Sequence, residues 1–385
     1  MSSDIPLSVY LHLPWCERKC PYCDFNSHRS PADDFAVKRR DYLEAMRRDI
    51  NAQALLVDGR DVHTVFIGGG TPSLFTPGEI AELLDALRAA LTLTDDVEIT
   101  MEANPGSLER EHFSGYRAAG VNRLSIGAQS MQDAALRRLG RLHTVADTHA
   151  AIRTALAAGF DRLNVDLMYA LPDQTLEAAC DDVAAVIDLG VHHVSHYQLT
   201  LEPNTRFFAD PPALPNEDAV AEMLLATREQ FRAAGLGAYE VSALAAPGHA
   251  CRHNLNYWQF GDYLGIGAGA HAKLTRSDGI WRYARPAHPQ SYVEHAAGVA
   301  LPDGASRLSA AQLPFEFMLN ALRLNTGFAI GLFESRTGLP ADAILPQLRD
   351  ARDRGLIDAQ SDDRWVPTSL GQRFLNDLVG LFLPG

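Results

Sequence analysis

No run of about eighteen or more consecutive apolar residues occurs in the chain, so the sequence offers no transmembrane helix. The segment before Cys16 holds no basic cluster and no long apolar core, which argues against a secretory leader. Cysteine is scarce: Cys16, Cys20, Cys23, Cys180 and Cys251 are all there is among 385 residues. The number is odd and three of the five lie close together, which excludes a disulfide framework. Positive charge is also short, with 34 Lys and Arg against 48 Asp and Glu and a net charge of −14. Such acidity excludes a sequence-independent grip on a phosphate backbone. Repeats and low-complexity tracts are absent too. What remains is 46% hydrophobic and 21% charged, the composition of a globular protein with a sizeable core. A cytoplasmic protein with a small-molecule or protein partner is the expectation.

The cysteines carry the clearest signal. Cys16, Cys20 and Cys23 have the spacing Cys-x3-Cys-x2-Cys. Closely spaced thiolates on one short loop suit an iron–sulfur cube, and three of them leave its fourth iron open to an outside ligand. A zinc site would need more donors, with His12 and His28 the nearest recruits. A dithiol redox pair would use Cys20 and Cys23 and leave Cys16 unexplained. The cluster is the preferred reading.

To about residue 240 the chain alternates short β-branched runs with amphipathic helical stretches. Expected strands are Ser8–Leu13, Thr64–Ile67, Val97–Glu102, Arg123–Gly127, Arg162–Leu167, His193–Leu199 and Ala238–Ser242. Their near-continuous apolar character suggests burial on both faces. Expected helices include Asp33–Gln53, Pro77–Leu91 with Thr76 as its cap, Val145–Ala158 and Glu217–Ala234. This alternation implies an α/β fold, a full or partial (β/α) barrel whose chemistry sits at the carboxyl ends of the strands. Residues 1–242 form this barrel. Residues 243–305, rich in Gly, Ala, Pro and His, read as loop and extension. Residues 306–385 read as a small winged-helix-like α+β module. From Leu301 onward there are eight Arg, no Lys and ten acidic residues, so nucleic acid is not expected as a partner.

Chemistry-bearing residues collect at the expected strand ends. Gly68, Gly69 and Gly70 open the string GGGTPS after the second strand. They form either a tight strand-to-helix turn or a close approach to a ligand. They lack the spacing of a nucleotide-phosphate loop. Glu102, Gln129, Arg141 and Asp166 lie at or near later strand ends. A carboxylate there suits ribose hydroxyls, and an arginine suits a carboxylate through a two-pronged pair.

The cysteine spacing resembles that of the radical S-adenosylmethionine superfamily. The resemblance implies a [4Fe–4S] cluster on the three cysteines and S-adenosylmethionine on the open iron. In that superfamily the glycine-rich segment meets the methionine amino group, and the aromatic at Tyr22 lies beside the adenine. The strings YLHLPWCERKCPYCDFNS, FIGGGTPS, MEANPGS, RLSIGAQS, NVDLMYALPDQT, HYQLTLEPNT, YEVSALA, HNLNYW and EFMLNALRL narrow the resemblance. Together they are similar to the oxygen-independent coproporphyrinogen oxidase-like family, over most of the chain.

That family has a dehydrogenase branch and a heme-chaperone branch. The dehydrogenase carries a further cysteine where this sequence has Phe25, and a longer segment ahead of the first cysteine. The HNxxYW signature of the chaperone branch matches His253-Asn254-Leu255-Asn256-Tyr257-Trp258. The resemblance therefore implies a heme chaperone without coproporphyrinogen oxidase activity, the alternative being that oxidase. Its implied partners are heme, heme-acceptor proteins and an electron-donor protein, with room for contact with a membrane protein and for a homodimer.

Tyr10, Tyr22, Gly70, Thr71 and Glu102 match positions around one S-adenosylmethionine. Gln129, Arg141 and Asp166 match positions around a second. His253, Tyr257 and Trp258 match the heme motif: imidazole is a usual axial ligand, and the two rings offer flat apolar faces to a porphyrin. Cys251 and His271 are rival ligands. No catalytic residue is assigned.

Overall fold

The computed structural model describes residues 5–30, 34–57, 59–296, 301–360 and 363–384. Six strands follow one another in chain order and pair in parallel: β1 (Leu7–Leu13), β2 (Val62–Gly69), β3 (Leu93–Ala103), β4 (Arg123–Gln129), β5 (Leu163–Tyr169) and β6 (His193–Gln198). Helices between them include α1 (Phe35–Ala54), α2 (Pro77–Ala90), α3 (Ser107–Ala119), α4 (Val145–Ala157) and α5 (Leu176–Asp188). Capping fixes where they start. Thr76 accepts from the Glu79 N–H while the Glu79 carboxylate reaches back to the Thr76 N–H, and Pro77 fills the first turn. Thr144 and Asp147 make the same box at the start of α4, which fixes the end of the loop carrying Arg141. The expected start at Asp33 lies outside the described residues; the helix itself begins at Phe35.

Alternation along the strands divides the two faces. Leu7, Val9, Leu11 and Leu13 of β1 pack outward with Val65, Ile67, Ile99, Met101, Leu124 and Ile126 under the helices. The other face is polar. Ser8 pairs in register with Thr64, Thr64 with Glu98, and Glu102 with Ser125. The expected burial on both faces holds, but only one of the two faces is apolar. One face carries the core, and the concave one carries hydroxyls, carboxylates and imidazoles.

Two further expectations change. Ala238–Ser242 is not a strand. Short strands at Gly237–Ala238 and Ala243–Ala245 flank a turn, because the buried Glu240 carboxylate accepts from both the N–H and the hydroxyl of Ser242. Nor is all of 243–305 loop and extension. After α6 (Glu217–Ala233) and α7 (Arg252–Trp258), strand β7 (Asp262–Ile266) lies parallel to β1 on its open side. Strands β8 (His271–Arg276) and β9 (Gly279–Ala284) continue the sheet antiparallel. The C-terminal part has its own core around Phe317, Phe333, Leu348 and Trp365, with a three-stranded sheet of its own.

The sheet does not close strand to strand among the described residues. Its two ends are bridged by α8 (Leu313–Ala321) and the residues after it. Glu316 pairs with Arg282 of β9 at 2.7 Å, while Asn325 bonds Ala238 and Tyr239 and Arg323 pairs with Glu240 at 3.1 Å at the other end. The result is a partial barrel finished by the C-terminal segment.

Candidate functional site

The loop after β1 carries the cysteines to the carboxyl end of the sheet. Trp15–Cys16 pairs with His28–Arg29, so the loop closes on itself; the Cys23 N–H donates to the Cys20 carbonyl at 3.2 Å. All three thiols are free and line one cavity of about 400 Å³. Among the described residues, no three His, Cys, Asp or Glu side chains are grouped to hold a single metal ion. Burial pushes the Cys16 and Cys23 thiols up, against hydrogen bonds from Thr71 and Ser27 to the first.

The glycine run explains itself by packing. Gly70 donates to the Leu13 carbonyl at 2.8 Å and Thr71 to that of Trp15 at 2.7 Å, so this run braces the root of the cysteine loop. A Cβ on Gly70 would stand 2.5 Å from the Trp15 carbonyl oxygen. Gly69 has φ of 118°, and a Cβ there would meet the His12 ring. Both glycines and Thr71 also line the cavity.

The strand ends supply the remaining walls. Glu102 accepts from the Gly69 N–H at 3.1 Å. Its carboxyl is pushed up to about 8, first by burial and then by the Asp166 carboxylate. Asp166 accepts from Asn164 at 2.7 Å and from Ser125, and burial raises it as well. Gln129, at φ 68°, accepts from the Tyr197 hydroxyl at 2.6 Å. Arg141 reaches Cys20 Sγ at 3.7 Å, Asn104 Oδ1 at 2.6 Å and the Gly127 carbonyl at 2.9 Å. Tyr22 tilts against Phe207. Asn104 and Tyr197 escaped the sequence reading, although each stands at a strand end as the chosen residues do.

Tyr10 faces elsewhere. It lines a second cavity of about 530 Å³ with Tyr257, Trp258, Tyr263, His271 and Asn320. Phe25, Gly69 and Glu102 line both cavities. His253 is fully buried behind that wall. Thr64 donates to Ser8 at 2.7 Å, so the His253 Nδ1–H donates to Thr64 at 2.8 Å and Nε2 accepts from the Tyr257 hydroxyl at 2.9 Å. Burial pushes its pKa down to about 3. Cys251 is buried too, its thiol donating to Glu98 at 3.6 Å and pushed up to about 11 by burial. Neither lines the cavity.

Residues 10–186 match the family described as Radical SAM superfamily, and residues 308–374 match the HemN C-terminal domain. The chain is 45% identical to a protein named heme chaperone HemW from Escherichia coli K12 and 43% identical to one of that name from Haemophilus influenzae. Each comparison spans 98% of both chains. A solved structure described as coproporphyrinogen III oxidase (HemN) from Escherichia coli superposes with a TM-score of 0.82. It covers 99% of this chain and 90% of its own at 24% identity, which establishes the shared fold. No helix among the described residues is long and apolar enough to cross a membrane.

Proposed function

The chain belongs to the HemW family within the radical S-adenosylmethionine superfamily, and on that premise we propose that it is a heme chaperone. In this reading Cys16, Cys20 and Cys23 hold a [4Fe–4S] cluster. Gly70, Thr71, Glu102 and Tyr22 hold S-adenosylmethionine, and the cavity walled by Tyr10, Tyr257 and Trp258 receives heme for delivery to an acceptor hemoprotein. An electron-donor protein completes the set of partners, and the cytoplasm is the expected compartment.

The observation that carries the reading is the pair of adjoining cavities with Phe25, Gly69 and Glu102 in their common wall. Three free thiols lining the first suit a cube whose irons take separate thiolates. When bound, such a cluster with S-adenosylmethionine supplies one-electron cleavage of the sulfonium. The second cavity is of cofactor size, within the range of about 300–1,000 Å³ common for small-ligand sites, and has aromatic walls. The chain's own residues brace the cysteine loop, orient the cofactor and exclude water. The test is heme titration of the cluster-loaded chain followed by transfer to an apo-hemoprotein, read by absorbance.

Glu102 gives this reading a pH signature. An ionised carboxylate accepts from ribose hydroxyls, whereas Glu102 at about 8 is largely protonated at neutral pH. Binding S-adenosylmethionine through the ionised form therefore expels a proton. Affinity is expected to rise with pH, by at most about tenfold per unit, and to level off above about 8. Glu102→Gln is expected to flatten that dependence, measured by equilibrium dialysis across pH.

A further inference from the structure

Resting on the heme-chaperone reading, we infer that His271, and not the histidine of the HNxxYW motif, supplies the axial nitrogen to heme iron. An axial bond needs an imidazole lone pair open toward the porphyrin. His253 has none to offer, since Tyr257 caps Nε2 and Nδ1–H is given to Thr64. Nor does His12, which also lines the second cavity. Its Nε2–H donates to the Asn26 carbonyl at 2.8 Å, and its Nδ1 accepts from Tyr10 at 3.0 Å. His271 is exposed, lines the same cavity, and has no side-chain hydrogen bond among the described residues.

The backbone holds His271 firmly while leaving its ring free. It opens β8 after the turn Gly267-Ala268-Gly269-Ala270, where Gly267 and Gly269 have φ of 106° and 75°. A Cβ on Gly265 of β7 would stand 2.0 Å from the His271 carbonyl oxygen, so the two strands approach as closely as glycine permits. Asn26 pins the turn: its Nδ2 donates to the Ala268 carbonyl at 2.9 Å and to that of Ala287 at 2.8 Å. Asn26 lies three residues after Cys23. The loop that would carry the cluster thus holds the turn that would carry the heme ligand.

This assigns separate tasks to the signature residues. Tyr257 and Trp258 form the apolar wall, and His253 orients the Tyr257 ring from behind. The indole Nε1 of Trp258 is buried without a partner among the described residues.

The experiment uses the full chain with its cluster reconstituted anaerobically. Heme is titrated into the unsubstituted chain, His271→Ala and His253→Gln, read by optical and electron paramagnetic resonance spectra. Metal-free protoporphyrin IX is titrated in parallel by fluorescence. His271→Ala is expected to change the ligand-field spectrum and weaken heme roughly tenfold or more, with protoporphyrin binding retained. Free imidazole is expected to restore the spectrum in His271→Gly. His253→Gln is expected to keep the axial spectrum.

An unaltered spectrum and affinity in His271→Ala, or loss of the axial spectrum in His253→Gln alone, would overturn the assignment while leaving the chaperone reading intact. Failure of the unsubstituted chain to bind either heme or protoporphyrin would overturn both.

Discussion

Replacing Cys16, Cys20 or Cys23 singly by Ser is expected to abolish the iron–sulfur cluster, whereas Cys180→Ala and Cys251→Ala keep it. Three thiols line one cavity and none is tied into a disulfide. Each would hold a separate iron, so none can substitute for another, and the remaining two residues cannot keep a cube against exchange. Cys251 is buried against Glu98 and Cys180 lies on α5, neither of them lining this cavity. The readout is iron and acid-labile sulfide content with the paramagnetic signal after reduction. A Cys16→Ser chain with a full complement of iron and sulfide would remove the cysteine assignment. Because Asn26 links this loop to the turn before His271, the same substitutions are also expected to weaken heme binding.

The second large effect concerns stability. Asp49 of α1 and Arg285 are fully buried and form an ion pair beneath the sheet extension. The Tyr292 hydroxyl donates to the other carboxylate oxygen at 2.8 Å, and Gln53 donates to the first at 3.0 Å. Arg285→Ala strands a carboxylate in the core and is expected to cost about 3–5 kcal/mol, measured by urea denaturation. Burial already raises the Asp49 carboxyl despite Arg285. Without the guanidinium Asp49 takes up a proton, so the folded-state pKa rises further above the unfolded value. The loss is therefore greatest at neutral and alkaline pH and shrinks as pH falls to where Asp49 is protonated in both states. A double change to apolar residues, Asp49→Leu with Arg285→Met, is expected to recover much of the loss.

What the sequence disclosed was mostly local. The cysteine loop, the helix cap at Thr76 and the order of strands and helices each depend on residues close in the chain. The concave face was hidden because its polarity emerges only when Thr64, Glu98 and Ser125 come into register across strands. His253 reads as a free ligand beside two aromatics until Thr64, far away in the chain, is brought against it. The pairing of β7 with β1 brings together segments far apart in the chain, and no short-range pattern announces it. Glu240 misled in the opposite direction: Tyr239, Glu240 and Val241 look like strand residues, but a buried carboxylate bonding its own chain makes a turn. The glycine run reads in the sequence as either a tight turn or a close approach to a ligand, and neither pattern shows that it also admits the backbone of Trp15.

The most direct measurement is one anaerobic sample with its cluster reconstituted, titrated with heme by optical spectroscopy and then supplied with coproporphyrinogen III, S-adenosylmethionine and a reductant. Stoichiometric heme binding without consumption of coproporphyrinogen is the predicted result. Turnover to protoporphyrinogen with absent heme binding would contradict the account and make the chain a biosynthetic dehydrogenase.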